Sequence, residues 1–127
     1  METLPTDRST VERALATFVD AFTNLDRARM EACFTDDATV FHRVSGPRQL
    51  GFWHKEFEEW RATRPGPPYL SIDAKDLQIQ ELGEVAIVTF HLDNWPGELG
   101  RRTLVFANTP GGWKIVHLHA SVMPLTR

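Results

Sequence analysis

Val85-Ala86-Ile87-Val88-Thr89-Phe90-His91-Leu92-Asp93 is the stretch that decides the fold. It has no helical spacing and is rich in β-branched residues, so it reads as a strand. Side chains alternate along a strand, giving one line of Val85, Ile87, Thr89, His91 and Asp93 and another of Ala86, Val88, Phe90 and Leu92. Both lines carry apolar groups, so both sides of this strand need cover. Similar runs at 101–108 and 113–121 follow, and one at 69–80 precedes. Leu82-Gly83, Trp95-Pro96-Gly97 and Thr109-Pro110-Gly111-Gly112 separate them, and connections this short imply an antiparallel meander.

Upstream the period changes. Ser9-Thr10-Val11-Glu12 fits a Ser-x-x-Glu capping box, and Val11, Ala14, Leu15, Phe18, Val19 and Phe22 follow at helical spacing to about Thr23. Asp26 can cap a second helix carrying Met30, Cys33 and Phe34, which Asp36-Asp37 breaks. Ala38 to Arg43 is a short strand ending at Gly46-Pro47. Trp53, Phe57 and Trp60 mark the stripe of a third helix, which Arg64-Pro65-Gly66-Pro67-Pro68 stops. The expected architecture is α+β: three N-terminal helices packed on a curved antiparallel sheet, forming a cone with one pocket. Three helices cover one side of the sheet, and the economical cover for the other is a second copy of the chain. A homodimer through the outer sheet face is therefore expected.

At 127 residues the chain suits a single domain spanning 1–127, and 42% hydrophobic with 24% charged residues is ordinary globular composition. The net charge of −3 and the lack of a basic cluster argue against a nucleic-acid partner. Cys33 is the single cysteine and is expected to be a buried, inert thiol. Neither a signal peptide nor a membrane-spanning run is evident, so a cytoplasmic location with no membrane partner is expected. No glycine-rich phosphate loop, Gly-x-Ser-x-Gly elbow, Cys-x-x-Cys or His-Glu-x-x-His occurs, and no cofactor is expected.

The segment Gly112-Trp113-Lys114-Ile115-Val116-His117-Leu118-His119-Ala120-Ser121, with Asp36-Asp37-Ala38-Thr39-Val40-Phe41 and Gly51, resembles SnoaL-like families of the nuclear transport factor 2-like fold. The closing strand is also similar to that of the calcium/calmodulin-dependent protein kinase II association (hub) domain. The resemblance runs from the first helix to Pro124 and implies a cone of helices closed by a bent sheet. That fold hosts isomerases, cyclases, dehydratases, epoxide hydrolases and assembly modules, so it does not by itself name a function. The hub's pocket arginines fall on His91, Leu104 and Ala120 here, so its anion site is not implied. Those positions suggest that His91, Leu104, Leu118 and Ala120 face inward.

On that basis His91 and Asp93 are the catalytic candidates, since an imidazole titrates near working pH and can carry a proton. A regular hairpin over Trp95–Gly100 would set Asp93 opposite Arg102 and His91 opposite Leu104. Substrate-binding candidates are Arg102, Leu104, Phe106, Leu118 and Ala120, with Trp53, His54 and Phe57 from the third helix. His42 and His54 flank the 46–51 segment and can line a rim. His117 and His119 share one strand face, a spacing that can grip a metal; with Trp113 and Ile115 as outer-face neighbours, an interface or packing role is the simpler reading, and no metal site is expected. The ligand is expected to be small and largely apolar. Two functions stay open: proton-transfer catalysis without a cofactor, by an isomerase, cyclase or dehydratase, or non-catalytic binding and oligomer assembly.

Overall fold

A computed structural model of the chain describes residues 9–42, 47–50, 54–93 and 96–125, with no side-chain description for 54–56. Helix α1 (Val11–Thr23) opens on Thr10, whose hydroxyl oxygen accepts a hydrogen bond from the Arg13 N–H at 3.1 Å. The cap thus falls one residue later than the Ser-x-x-Glu reading, and Glu12 lies in the first turn, where a carboxylate favours the helix dipole. Thr10→Ala is expected to lower stability by about 1 kcal/mol in urea unfolding. Val11, Ala14, Leu15, Phe18 and Ala21 form the buried stripe.

Asp26 caps α2 (Arg27–Ala32), its Oδ1 accepting from the Arg29 N–H at 3.3 Å, and Met30 is fully buried. The helix ends at Cys33, which is buried, and Phe34 already begins β1 (Phe34–Phe41). Asp36 and Asp37 therefore lie exposed within a strand rather than breaking a helix, while Phe34, Ala38 and Val40 turn into the core. The Thr35 hydroxyl donates to the Asp37 carboxylate at 2.9 Å, and strand pairing is irregular there.

After β2 (Gln49–Leu50) and α3 (His54–Thr63) come β3 (Lys75–Leu82), β4 (Val85–Leu92), β5 (Glu98–Thr109) and β6 (Gly112–Pro124). The sheet order is β2-β1-β6-β5-β4-β3. β3 to β6 form the expected antiparallel meander, and β1 joins it alongside β6 in parallel. The strand expected from residue 69 starts only at Lys75. Tyr69 and Leu70 instead donate their N–H groups to the Thr23 carbonyl at 2.8 and 3.2 Å, tying this segment to the end of α1. The result is three helices on one face of a six-stranded, open, curved sheet in a cone-like arrangement.

Register decides which side chains meet the helices. Val88 pairs with Leu104, Phe90 with Arg102 and His91 with Arg101, so the expected pairings of Asp93 with Arg102 and His91 with Leu104 do not form. The offset between the two registers is odd, and an odd offset exchanges the faces. The observed register unites Ala86, Val88, Phe90 and Leu92 with Leu104 and Phe106, all buried, whereas the expected one would have set Thr89 and His91 against them. Burying the larger apolar set wins.

A second parity change sits in β6. Phe106 pairs with Ile115 but Val105 pairs with His117, leaving Val116 as an extra residue on β6. Trp113 and Ile115 consequently face the core with Leu118 and Ala120, while His117 and His119 face outward. Trp113 and Ile115 are thus not outer-face neighbours of the two histidines.

Candidate site on the inner sheet face

The wall that the helices cover grades from apolar to polar along β5. Phe106 and Leu104 lie at its apolar base, flanked by Ala86 and Val88 on β4 and by Ile115 and Leu118 on β6, with exposures of 2% or less. Phe57, on α3, is also fully buried in this core. Two residues toward the start of β5 the side chain is Arg102, half-buried, then comes Gly100, buried, then Glu98, half-buried.

One row crosses this wall. Phe90 pairs with Arg102, and Arg102 pairs with Ala120. Phe41 pairs with His119 in the parallel ladder, so the register carried one residue further sets His42 beside Ala120. Strands stand about 4.8 Å apart, which separates the His42 and Arg102 backbones by roughly 10 Å with the small Ala120 side chain between them. His42 is 6% exposed and its ring lies 5.4 Å from that of Trp60, centroid to centroid. Trp60 in turn lies 5.9 Å from Phe22, with the Arg64 guanidinium 5.7 Å from its ring centre. The imidazole is thus built into an aromatic corner between α1, α3 and the end of β1.

Arg102 is held by backbone. Its Nη1 donates to the carbonyls of Arg101 at 3.0 Å and Ser121 at 3.1 Å, folding the guanidinium back along β5 over Gly100.

The sequence-predicted residues divide. Arg102, Leu104, Phe106, Leu118, Ala120 and Phe57 belong to the inner side, though Leu104, Phe106 and Phe57 are closed off within the core. His91 and Asp93 do not belong to it. The His91 side chain stands on the outer face, 37% exposed, beside Arg101 and 3.7 Å from the Asp76 carboxylate, and Asp93 is exposed beyond the end of β4. Trp53 lies outside the described residues, as does the side chain of His54. The residue underrated by the sequence reading is His42. Its signal was present: Ala38, Val40 and His42 fall on one line of an alternating strand.

A separate open hollow of about 520 Å³ lies on the helical side, bordered by Asn24, Asp26 and Arg27, with Arg61, Pro67 and Tyr69 opposite. Asp26 is already engaged there in capping α2.

A family model for the SnoaL-like domain matches residues 11–126. The chain belongs to the SnoaL-like domain family. No curated protein matches it. Among solved structures, this SnoaL-like chain is similar to a proposed dehydratase of the nuclear transport factor 2-like family from Streptomyces avermitilis. Identity is 23% over 98% of this chain and 100% of the other, with a TM-score of 0.73. A proposed ketosteroid isomerase from Parabacteroides distasonis matches at 19% identity, covering 97% and 95%, with a TM-score of 0.67. The CaMKII hub of S. rosetta matches at 21% identity, covering 89% and 94%, with a TM-score of 0.68. At these identities the likeness establishes the nuclear transport factor 2-like fold.

Among the described residues no helix covers the second face of the SnoaL-like sheet. Ile87, Val105, Phe41 and His117 are half-buried there, and Val85 and Leu82 are exposed. The His117 Nδ1 and the Thr39 hydroxyl share a hydrogen bond at 2.8 Å, and Phe41 lies 5.9 Å from His117 and 5.3 Å from His119. Among the described residues no three metal-ligating side chains cluster, and no helix is long and apolar enough to cross a membrane.

Proposed function

We propose that the inner wall binds a small, largely apolar molecule and that His42 moves a proton on it, as a cofactor-independent isomerase, cyclase or dehydratase would. The observation that carries this reading is the row of His42, Ala120, Arg102 and Phe90, in which an imidazole and a guanidinium flank a small side chain above an apolar base. Ligand sites of this kind are mostly apolar with a few fixed polar groups. An imidazole in such a wall is a general base when neutral and a general acid when protonated. The tilted contact with Trp60, at 44° between ring planes, holds the imidazole against α3.

A generic probe tests it without knowledge of the natural substrate. Removing the C3 proton of 5-nitrobenzisoxazole by a base breaks the C–H and N–O bonds, forms a nitrile and releases a coloured nitrophenolate. The purified protein is expected to bind this flat molecule, quenching tryptophan fluorescence, and to turn it over faster than the same concentration of free imidazole. Binding with no turnover at any pH leaves the non-catalytic binding reading in its place.

The outer face supports the partner reading, a homodimer formed by two copies of this face, and the fold is one that often forms oligomers. Val105 stands between Ile87 and His117 in the middle of that face. Light scattering is expected to give twice the chain mass. Val105→Lys, which places an unpaired charge in the seam, is expected to shift the protein to monomer at micromolar concentration with its melting behaviour otherwise retained.

A further inference from the structure

We infer that the outer sheet face holds a divalent transition-metal ion of the zinc and copper class between two copies of the chain, each copy supplying His117 and His119. The inference rests on the dimer reading above and names what its seam contains.

The two imidazoles stand on one side of β6, separated by a single residue, and that spacing lets neighbouring side chains of one strand share an ion. A packing role for them rested on Trp113 and Ile115 as neighbours, and the extra residue Val116 turns both of those into the core. The neighbours that remain are Thr39 and Phe41 on β1 and Thr103 and Val105 on β5, none of them charged. The Thr39 hydroxyl, 2.8 Å from His117 Nδ1, stands where the outer partner of a metal-bound histidine stands. When Nδ1 carries the ring proton and donates it to Thr39, Nε2 keeps its lone pair for an ion. Phe41 packs against both rings, at 5.9 and 5.3 Å between centroids, and narrows the rotamers of each. His117 is half-buried and His119 exposed, so the pair opens away from its own sheet.

A single chain brings two imidazoles, and among the described residues no third ligating side chain joins them. Zinc in a closed site takes four ligands in a tetrahedron. The second copy is the occupant that supplies the missing pair, because a two-fold axis repeats whatever one copy offers. His117 is the direct β6 neighbour of Val105, the middle of the proposed seam, with Ile87 beyond it on β4. Sheets packed face to face stand about 10 Å apart, so an ion midway lies about 5 Å from each, within the span of an imidazole and one metal–nitrogen bond of about 2 Å. The half-buried Ile87, Val105 and Phe41 then form an apolar surround that limits the access of water to the ion. An ion bound only by the pair of copies also tightens the pair.

The test uses the full chain, stripped with EDTA and passed into chelator-free buffer at about pH 7.5, where an ordinary imidazole is neutral. Calorimetry with zinc chloride is expected to give one ion per two chains, and sedimentation to show a dimer at least about tenfold tighter with zinc than with EDTA. Cobalt(II) in place of zinc is expected to give the intense visible bands of a tetrahedral site. His119→Ala changes an exposed position, and is expected to remove zinc binding and the zinc effect on assembly while the metal-free dimer keeps its affinity. Thr39→Val is expected to weaken zinc about 10–100-fold, the usual cost of losing an outer partner, and wild-type affinity in that variant overturns the role of Thr39. Val105→Lys, monomeric on the dimer reading, is expected to lose tight binding, since each chain then offers two ligands alone. One ion per chain, held equally by wild type and Val105→Lys, overturns the shared site. A wild type that is a dimer and binds no zinc overturns the metal while leaving the dimer standing. A wild type that stays monomeric with and without zinc removes the dimer reading and this inference with it.

Discussion

His42→Ala is expected to slow turnover of 5-nitrobenzisoxazole by about 100-fold or more, the usual contribution of a placed general base. The protein should still bind the probe, because the other members of the row, Phe90, Arg102 and Ala120, remain in place. Loss of the imidazole leaves a gap beside Trp60, whose ring stood 5.4 Å away. Free imidazole added to the His42→Ala protein is therefore expected to restore part of the rate in a saturable way. A residue needed only for packing would show no such rescue. His91→Ala is the contrasting variant and is expected to leave the rate unchanged, since His91 stands on the opposite sheet face beside Arg101. Equal rates for wild type and His42→Ala, or a collapse of rate in His91→Ala with His42→Ala intact, would remove His42 from the reaction.

The contrast between these two histidines shows how far the sequence could be read. Periodicity gave the helices because their stripes are long: Val11 to Phe22 repeats through three turns, and Pro65 to Pro68 stops the third helix unambiguously. It also gave the existence of the strands β4 to β6, without fixing which line of each is buried. The resemblance to SnoaL-like families added the cone and the closing strand. What neither supplied was parity across a turn. Both lines of Val85–Asp93 are apolar enough to be buried, so a choice of face needed the register, and the register depends on how residues 93–99 span the gap. The observed pairing of Leu92 with Gly100 differs from the regular hairpin by an odd number of positions, and that alone moves His91 out and leaves Arg102 in. In β6 a single extra residue, Val116, did the same to Trp113 and Ile115 relative to His117. A bulge leaves almost no mark in composition, whereas its effect on a site is complete.

Phe57→Ala is expected to cost about 3–5 kcal/mol of folding stability, the usual range for emptying a phenylalanine site in a core. Phe57 is 0% exposed and, with Phe106, has the largest fully buried side chain among the described residues; of the described α3 side chains it is the one that sits fully in the common core. The other described side chains of α3 offer little substitute. Trp60 is only partly buried, and Glu58 and Glu59 face solvent, Glu58 forming an exposed ion pair with Arg27 at 3.2 Å. Exposed pairs of that kind hold about 1 kcal/mol or less, so they cannot retain the helix once its anchor is removed. Domains of this size are stable by roughly 5–15 kcal/mol, and the variant should therefore remain folded in the cold while losing a large part of its margin. Because α3 also carries Trp60 to His42, the loosened helix should free the imidazole's aromatic corner before the sheet unfolds. Urea unfolding followed by tryptophan fluorescence and by far-ultraviolet dichroism should then separate into two transitions, the fluorescence change coming first. Coincident transitions with a loss below about 1 kcal/mol would mean that α3 is held by something other than Phe57.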